Sequence, residues 1–385
     1  MRIGAGISAA GDPLEGATVA AGQAAAALGP DRADLAIVFA SGTHLMVPEA
    51  TLAAVDAELA PGALVGCGAG GVLGGGRELE DGTAVAVWAA SLDSGTARPF
   101  HAEVTGDGDT GVLEGLPELG SGAALILLSD PYSFPTDGVL EGLAREAPGV
   151  PVLGGLSSAR TPVGDAALFS GDEVCGEGAV GVCLNGVEMI PCVSQGAAPV
   201  GREMTITAAE GNVIHELAGR PAVQAIEEAV SELPLPQRAL VAGGLLIGVV
   251  IDGGKPEYEQ GDFLVRGVLG ADPETGAVAV GAAVAPGQVV RVHARDAESA
   301  DADLRRELRL RSTALGGRRP AGALVFSCNG RGRSMFGATD HDVSLVEDEL
   351  GTPAAAGFFA AGEIGPVGGR SFLHGFTATV AVFPG

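Results

Sequence analysis

One pattern constrains this chain more than any other: a strand, a polar turn, a helix, a short second strand, a glycine-rich segment and a third strand, in that order, three times over. In the first copy, residues 35–39 form an apolar run that reads as a strand. It ends in Ser41-Gly42-Thr43-His44. A helix is expected from Pro48, with Leu52, Val55 and Leu59 on one face and Pro61-Gly62 as its stop. Residues 63–65 read as the second strand, Gly66 to Gly71 as a loop and residues 83–88 as the third strand. The second copy runs through strand 125–128, the turn Ser129-Asp130-Pro131, a helix capped by Thr136, strand 150–153, a loop opened by Gly154-Gly155 and strand 179–184. The third has strand 323–326, the turn Ser327-Cys328-Asn329-Gly330, a capping-box-like Thr339-x-x-Asp342, a helix ending at Gly351, strand 354–359, a loop opened by Gly362-Glu363-Ile364-Gly365 and strand 377–383.

Such a unit has one apolar helix face and cannot bury it alone, so the copies must share sheets. The expected fold is α/β, with layered mixed sheets and helices outside. Between copies two and three the texture changes. A hairpin turn at Gly211-Asn212, a helix from Pro221 and four β-type runs (245–251, 263–269, 277–284, 289–294) predict a β-meander insertion, followed by a helix over 301–315. A boundary near 195–220 divides the chain into an N-terminal α/β domain, 1–205, with two pseudo-repeats, and a C-terminal domain, 206–385, with the meander and the third.

Composition narrows the function classes. A chain of 385 residues, 46% of them apolar, has material for two or three cores. Its formal net charge of −26 repels nucleic-acid phosphates and anionic membrane surfaces. The start, Met1 to Gly6, lacks the apolar core of a signal peptide, and the longest apolar stretch, 239–251, is too short to cross a bilayer. A soluble, cytoplasmic protein is expected. The five cysteines, Cys67, Cys175, Cys183, Cys192 and Cys328, are odd in number and dispersed, which disfavours a disulfide framework or a zinc site. The histidines are scattered, with His215 on a hairpin strand. Neither a metal nor a cofactor is expected.

Two motif matches fail on context. Gly66-Cys67-Gly68-Ala69-Gly70-Gly71 satisfies a dinucleotide fingerprint, but Val72 to Arg77 is poor helix. Gly155-Leu156-Ser157-Ser158-Ala159 lacks the second glycine of a nucleophile elbow, and Pro162 breaks the helix that should follow.

The chemically dense stretch is Phe326 to Arg333. It places a thiol at the carboxyl end of a strand before two arginines, where ligands of open α/β sheets gather. Gly362, Glu363, His374 and Thr377 follow later in the same unit. The candidate ligand-binding set is therefore Cys328, Asn329, Gly330, Arg331, Arg333, Gly362, Glu363, His374 and Thr377, a polar cluster suited to a small amphiphilic ligand such as an amino acid. In the other copies Ser41 and Asp130 align with Cys328, and Asp81 and Glu177 with His374. A competing reading is a thiol hydrolase or transferase, with Cys328 as nucleophile, His374 as base and Glu363 as orienter. A third is a non-catalytic scaffold that forms homo-oligomers.

Residues 326–337, 357–369 and 373–383 resemble the C-terminal FIST domain, and residues 263–296 resemble its earlier β-rich part. The Gly66–Gly71 segment, Gly154 to Ser158 and Gln195 to Gly201 resemble the partner FIST N domain. The resemblance spans nearly the whole chain. It implies a sensory, small-molecule-binding module, with amino acids among the proposed ligands, whose output passes through a separate signalling protein.

Overall fold

The structure is a computed structural model, and it describes residues 1–105 and 112–385. All three copies are present. Their first strands, Leu35–Ser41, Ala123–Ser129 and Pro320–Cys328, are almost wholly buried, as continuous apolar runs demand. Each lies parallel to its second strand (Ala63–Gly68, Val152–Leu156, Ala355–Ala360) and antiparallel to its third (Ala84–Ser91, Ala179–Asn185, Thr377–Pro384). The helices Pro48–Leu59, Thr136–Glu146 and His341–Leu350 make the crossovers.

One glycine recurs at the same place in all three. Gly66, Gly154 and Gly357 pair with Val38, Leu127 and Val325 of the adjacent first strand. A Cβ on them would stand 2.0, 1.9 and 1.7 Å from those residues' carbonyl oxygens, and Gly154 also has φ +147°. Only glycine permits so close an approach of two backbones. The equivalence of the copies thus rests on residue identity as well as on element order.

The segments expected to be glycine-rich loops are not loops. Gly66 and Gly68 belong to the second strand, and the chain beyond it folds into a hairpin, Val72–Gly74 with Arg77–Leu79. The second copy has Leu168–Ser170 with Glu173–Cys175, and the third has Glu363–Val367 with Arg370–His374. None of these hairpins joins its own sheet. The first copy's hairpin pairs with Ala355–Ala360 of the third, the third's with Val152–Leu156 of the second, and the second's with Ala63–Gly68 of the first. The exchange is a closed ring. Each sheet also gains a flanking strand beside its third strand: Arg2–Ser8, Thr96–Thr105 and Ile190–Gln195.

Compactness therefore groups the chain differently from the expected split near 195–220. One body comprises Met1–Val193, Arg305–Leu373 and Ala378–Gly385, so the third copy belongs with the first two. Its inner core draws on all three copies: Phe39 stacks on Phe358 at 5.0 Å, Phe326 meets Phe358 edge-on at 5.9 Å, and Trp88 lies 5.1 Å from Phe383. The opening strand, Arg2–Ser8, and the helix Pro13–Leu28 were not anticipated. Seven of the helix's 16 residues are alanine, its faces show little contrast, and it lies so close to the strand that a Cβ on Gly4 or Gly6 would meet the carbonyl oxygen of Ala24 or Ala20 at about 2 Å.

The second body comprises Ser194–Leu304 and His374–Thr377. The expected meander closes into a six-stranded antiparallel barrel, in the order Ala197–Glu210, Val289–Arg295, Leu245–Val250, Phe263–Ala271, Val278–Val280 and Val213–Leu217, with the last pairing back on the first. Closure removes the edges that an open meander would expose. The hairpin at Gly211-Asn212 and the helix Ala222–Ser231 are as expected. Among the described residues no helix is long and apolar enough to cross a membrane.

Gly357→Ala is expected to destabilise the fold severely, by 3 kcal/mol or more as an order-of-magnitude figure, because backbone must move. Gly142→Ala, in an open helical position, is expected to stabilise it by up to about 1 kcal/mol. Urea unfolding of the two variants checks both signs.

Candidate functional site

The recurrent glycine pairs set a common register. Three residues beyond Val38, Leu127 and Val325 stand Ser41, Asp130 and Cys328, so the sequence alignment of these three positions holds. In the first two copies the position is committed. The Ser41 hydroxyl donates to the carbonyls of Gly82 (3.0 Å) and Ala84 (3.2 Å). The fully buried Asp130 accepts from Arg160 Nη2 (2.7 Å), the Ser133 hydroxyl (2.8 Å) and the N–H groups of Tyr132 and Ser133. Burial pushes its pKa up, but these donors outweigh burial and hold it below the usual carboxylate range. Cys328 is half-buried, and its sulfur accepts the Gly330 N–H at 3.5 Å.

Two more positions set the third copy apart. Glu363 pairs with Gly155, where the corresponding pairs of the other sheets have Leu168 opposite Cys67 and Val72 opposite Phe358. A carboxylate with no exposed surface thus stands where the pattern elsewhere places core aliphatics. Thr379 pairs with Phe326, where its equivalents are Ala86, opposite Phe39, and Val180, opposite Leu128. Thr379 is fully buried, and its Oγ1 has no hydrogen-bond partner among the described residues. It is a diagonal neighbour of Cys328 on the inner face, and a Cβ on Gly365 would come within 3.2 Å of its hydroxyl. The strand carrying Glu363 and Gly365 therefore runs past Thr379.

Arg331 anchors the turn. It is 1% exposed and forms a two-pronged pair with Asp342: Nε to Oδ2 at 2.6 Å and Nη2 to Oδ1 at 2.9 Å. Ser327 donates to the same carboxylate at 2.7 Å, and His341 Nδ1 lies 2.9 Å from it. The third guanidinium nitrogen, Nη1, is buried and has no hydrogen-bond partner among the described residues. Burial works against both charges, but their mutual attraction prevails: Arg331 is held above its ordinary pKa and Asp342 well below its own. The charges of Cys328 and Glu363 also act on Arg331, which places the four groups in one electrostatic neighbourhood.

This pairing overturns the expected capping box. Asp342 turns inward to Arg331, and the helix begins after Asp340, which has φ +62° and makes no side-chain cap bond. The cap comes from the first copy's hairpin, where Glu78 accepts the Val343 N–H at 2.9 Å. Asp340 accepts the Glu78 N–H at 2.6 Å, and Glu347 accepts the Gly76 N–H at 2.8 Å. Carboxylates from both copies thus fasten the exchanged hairpin to the third copy's helix. The matching helix ends of the other copies face clefts instead. One, of about 370 Å³, has Leu45, Pro48, Val163 and Val174 in its walls, and one of about 270 Å³ includes Phe134, Thr136, Leu156 and Leu373.

The remaining sequence candidates lie as follows. Asn329 is exposed, and Gly330 is half-buried on the turn. Arg333 is exposed, with Nη2 3.4 Å from Asp81, while its backbone N–H donates to Glu80. Gly362 is packed between Leu156 and Leu373. Glu363 is carried on the strand exported to the second copy's sheet, not on a loop beside its own turn. His374 and Thr377 are buried and belong to the barrel body. Sequence reasoning missed Thr379, Glu78 and the inward role of Asp342. Thr379 left a faint signal, a hydroxyl residue in phase with the core positions Ala381 and Phe383.

Burial, with Asp342 next to it, pushes the Glu78 carboxyl up from 4.5 to about 7, against the pull of the backbone N–H groups it caps. A carboxyl with a raised folded pKa favours the fold while protonated. That contribution is intact below about pH 4.5 and is lost as pH rises through 7. Glu78→Gln keeps the capping oxygen and removes the charge. It is expected to exceed the wild type in stability by about 1–3 kcal/mol at pH 8 and to match it at pH 4.5, as read by denaturant unfolding at each pH.

Comparison with known proteins agrees with the architecture. The family model of the FIST N domain matches residues 34–220, and that of the FIST C domain matches residues 222–366. An uncharacterized protein of Mycobacterium tuberculosis (strain CDC 1551 / Oshkosh) is 44% identical over 384 residues, spanning 100% of both chains. One of Mycobacterium bovis (strain ATCC BAA-935 / AF2122/97) is 43% identical over 384 residues, spanning 100% of this chain and 99% of its own. Three interlocked copies with an inserted barrel, matched over most of their length by these two domains, identify the chain as a member of the FIST family.

Proposed function

We propose that this protein is a sensory module that binds a small carboxylate-bearing metabolite, of amino-acid type, at the inner face of the third copy. FIST domains are regarded as sensory, small-ligand-binding signalling domains. The observation that carries the finer reading is the pair of buried groups, Arg331 Nη1 and Thr379 Oγ1, without a hydrogen-bond partner among the described residues. Leaving a buried donor unsatisfied costs about 1–3 kcal/mol, and more for a charged group, so such groups mark places where a ligand atom is wanted. Arg331 suits a carboxylate, and Thr379 donates or accepts. Cys328, Asn329 and Gly330 form the adjoining turn.

The reading is of ligand binding without catalytic turnover. Asp342 engages two of the three guanidinium nitrogens, which makes Arg331 a rigid receptor. The reading extends to a cytoplasmic protein whose bound state is read by a separate signalling partner. The charge of −26 supports a partner that is neither nucleic acid nor an anionic membrane.

The test is a melting screen against free amino acids and small dicarboxylates. A ligand at 100 times its Kd should add about 2.7 kcal/mol, a shift of several degrees. Thr379→Val keeps the shape and removes the hydroxyl, so it should leave the unliganded melting point nearly unchanged and weaken the response about tenfold. A response of equal size in wild type and Thr379→Val would move the site elsewhere.

A further inference from the structure

Cys328 is the one cysteine of the five that is not buried. Burial pushes the Cys175 thiol up to about 11 and the Cys67 thiol higher still, which leaves both inert at neutral pH. Cys328 has different surroundings. It ends a strand, its sulfur accepts the Gly330 N–H, and the Arg331 guanidinium acts on it through space. An N–H donor and a cation fixed on the same turn are groups that stabilise a thiolate sulfur during exchange. The equivalent residues Ser41 and Asp130 hold neighbouring groups through oxygen hydrogen bonds, and the third copy places a sulfur at that position. Arg331, whose backbone N–H donates to the Cys328 carbonyl at 2.8 Å, and Thr379, diagonal to Cys328 across the strand pair, each carry a buried side-chain atom without a hydrogen-bond partner among the described residues.

We propose that Cys328 is a thiol-exchange site that takes up one half of a small, carboxylate-bearing disulfide. The inference rests on the reading of Arg331 as a carboxylate receptor. In the step, the Cys328 thiolate attacks one sulfur of the disulfide. A new S–S bond forms between Cys328 and that sulfur, the original S–S bond breaks, and its electron pair leaves on the second sulfur as a thiolate, which takes a proton from water. Cys328 is oxidised, and the departing half is reduced. No further oxidant is needed. Arg331 Nη1 would hold the carboxylate of the half that stays. The bound state would then persist until a reducing thiol reverses the exchange, which makes the module responsive to redox poise as well as to concentration.

Cystine and cystamine are a matched pair of probes, because cystamine is cystine without its carboxylates. The native full chain is incubated with each, and adducts are followed by intact mass and mapped by peptide mass. One adduct per chain is expected, at Cys328, forming about tenfold faster with cystine than with cystamine, and absent from Cys328→Ser. The net charge of −26 would by itself favour the purely cationic cystamine, so a cystine preference cannot come from bulk electrostatics. Equal rates, or faster cystamine, would overturn the carboxylate preference and with it the role assigned to Arg331. No Cys328 adduct with either probe, while Thr379-dependent metabolite binding persists, would overturn thiol exchange and leave the binding reading standing.

Discussion

Every sheet of the threefold body is completed by a hairpin from another copy, and the rest of the structure depends on that exchange. The ring closes, so none of the three units can be removed without leaving an unpaired strand edge and an exposed inner face. Within each copy, Gly66, Gly154 and Gly357 let first and second strands approach without a Cβ between them. The exchange is held by side chains as well as by ladders. Glu78 reaches from the first copy to cap the third copy's helix, and Asp340 and Glu347 of the third copy bind backbone N–H groups of the same hairpin.

Against this near-symmetric frame the differences between copies carry the functional information. Inner-face positions that hold Val72 and Leu168, or Ala86 and Val180, hold Glu363 and Thr379 in the third copy. A carboxylate and a hydroxyl stand where aliphatics serve in the other copies, which makes the inner face of the third copy chemically distinct. Breaking the Arg331–Asp342 pair from one side would leave a buried charge, at a cost of about 3–5 kcal/mol, whereas an intact pair adds little over an apolar replacement. The pair is therefore better understood as a device that fixes the direction of one guanidinium edge.

Much of this was legible in the sequence. Leu35 to Phe39, Leu125 to Leu128 and Ala323 to Phe326 announced central strands, and Cys328, Arg331 and Glu363 stood out by type. The partner of each hairpin was not legible, because pairing between residues as distant as Leu73 and Gly357 leaves no local pattern. The glycines near residue 70 read as a loop because glycine signals a turn and a close backbone contact alike. Thr339-x-x-Asp342 read as a cap because nothing nearby reveals that Asp342 has a stronger claim from Arg331. The opening helix was hidden by its alanines. Closure of the barrel was hidden because a meander and a barrel share the same strand periodicity.

The central claim is that the third copy's inner face is a ligand site and that the other two are structural. Native mass spectrometry of the purified full chain, beside Thr379→Val and Glu363→Gln, tests it most directly. A small molecule retained by the wild type and lost from both variants is the predicted result. The same molecule retained at equal occupancy by all three would contradict the account.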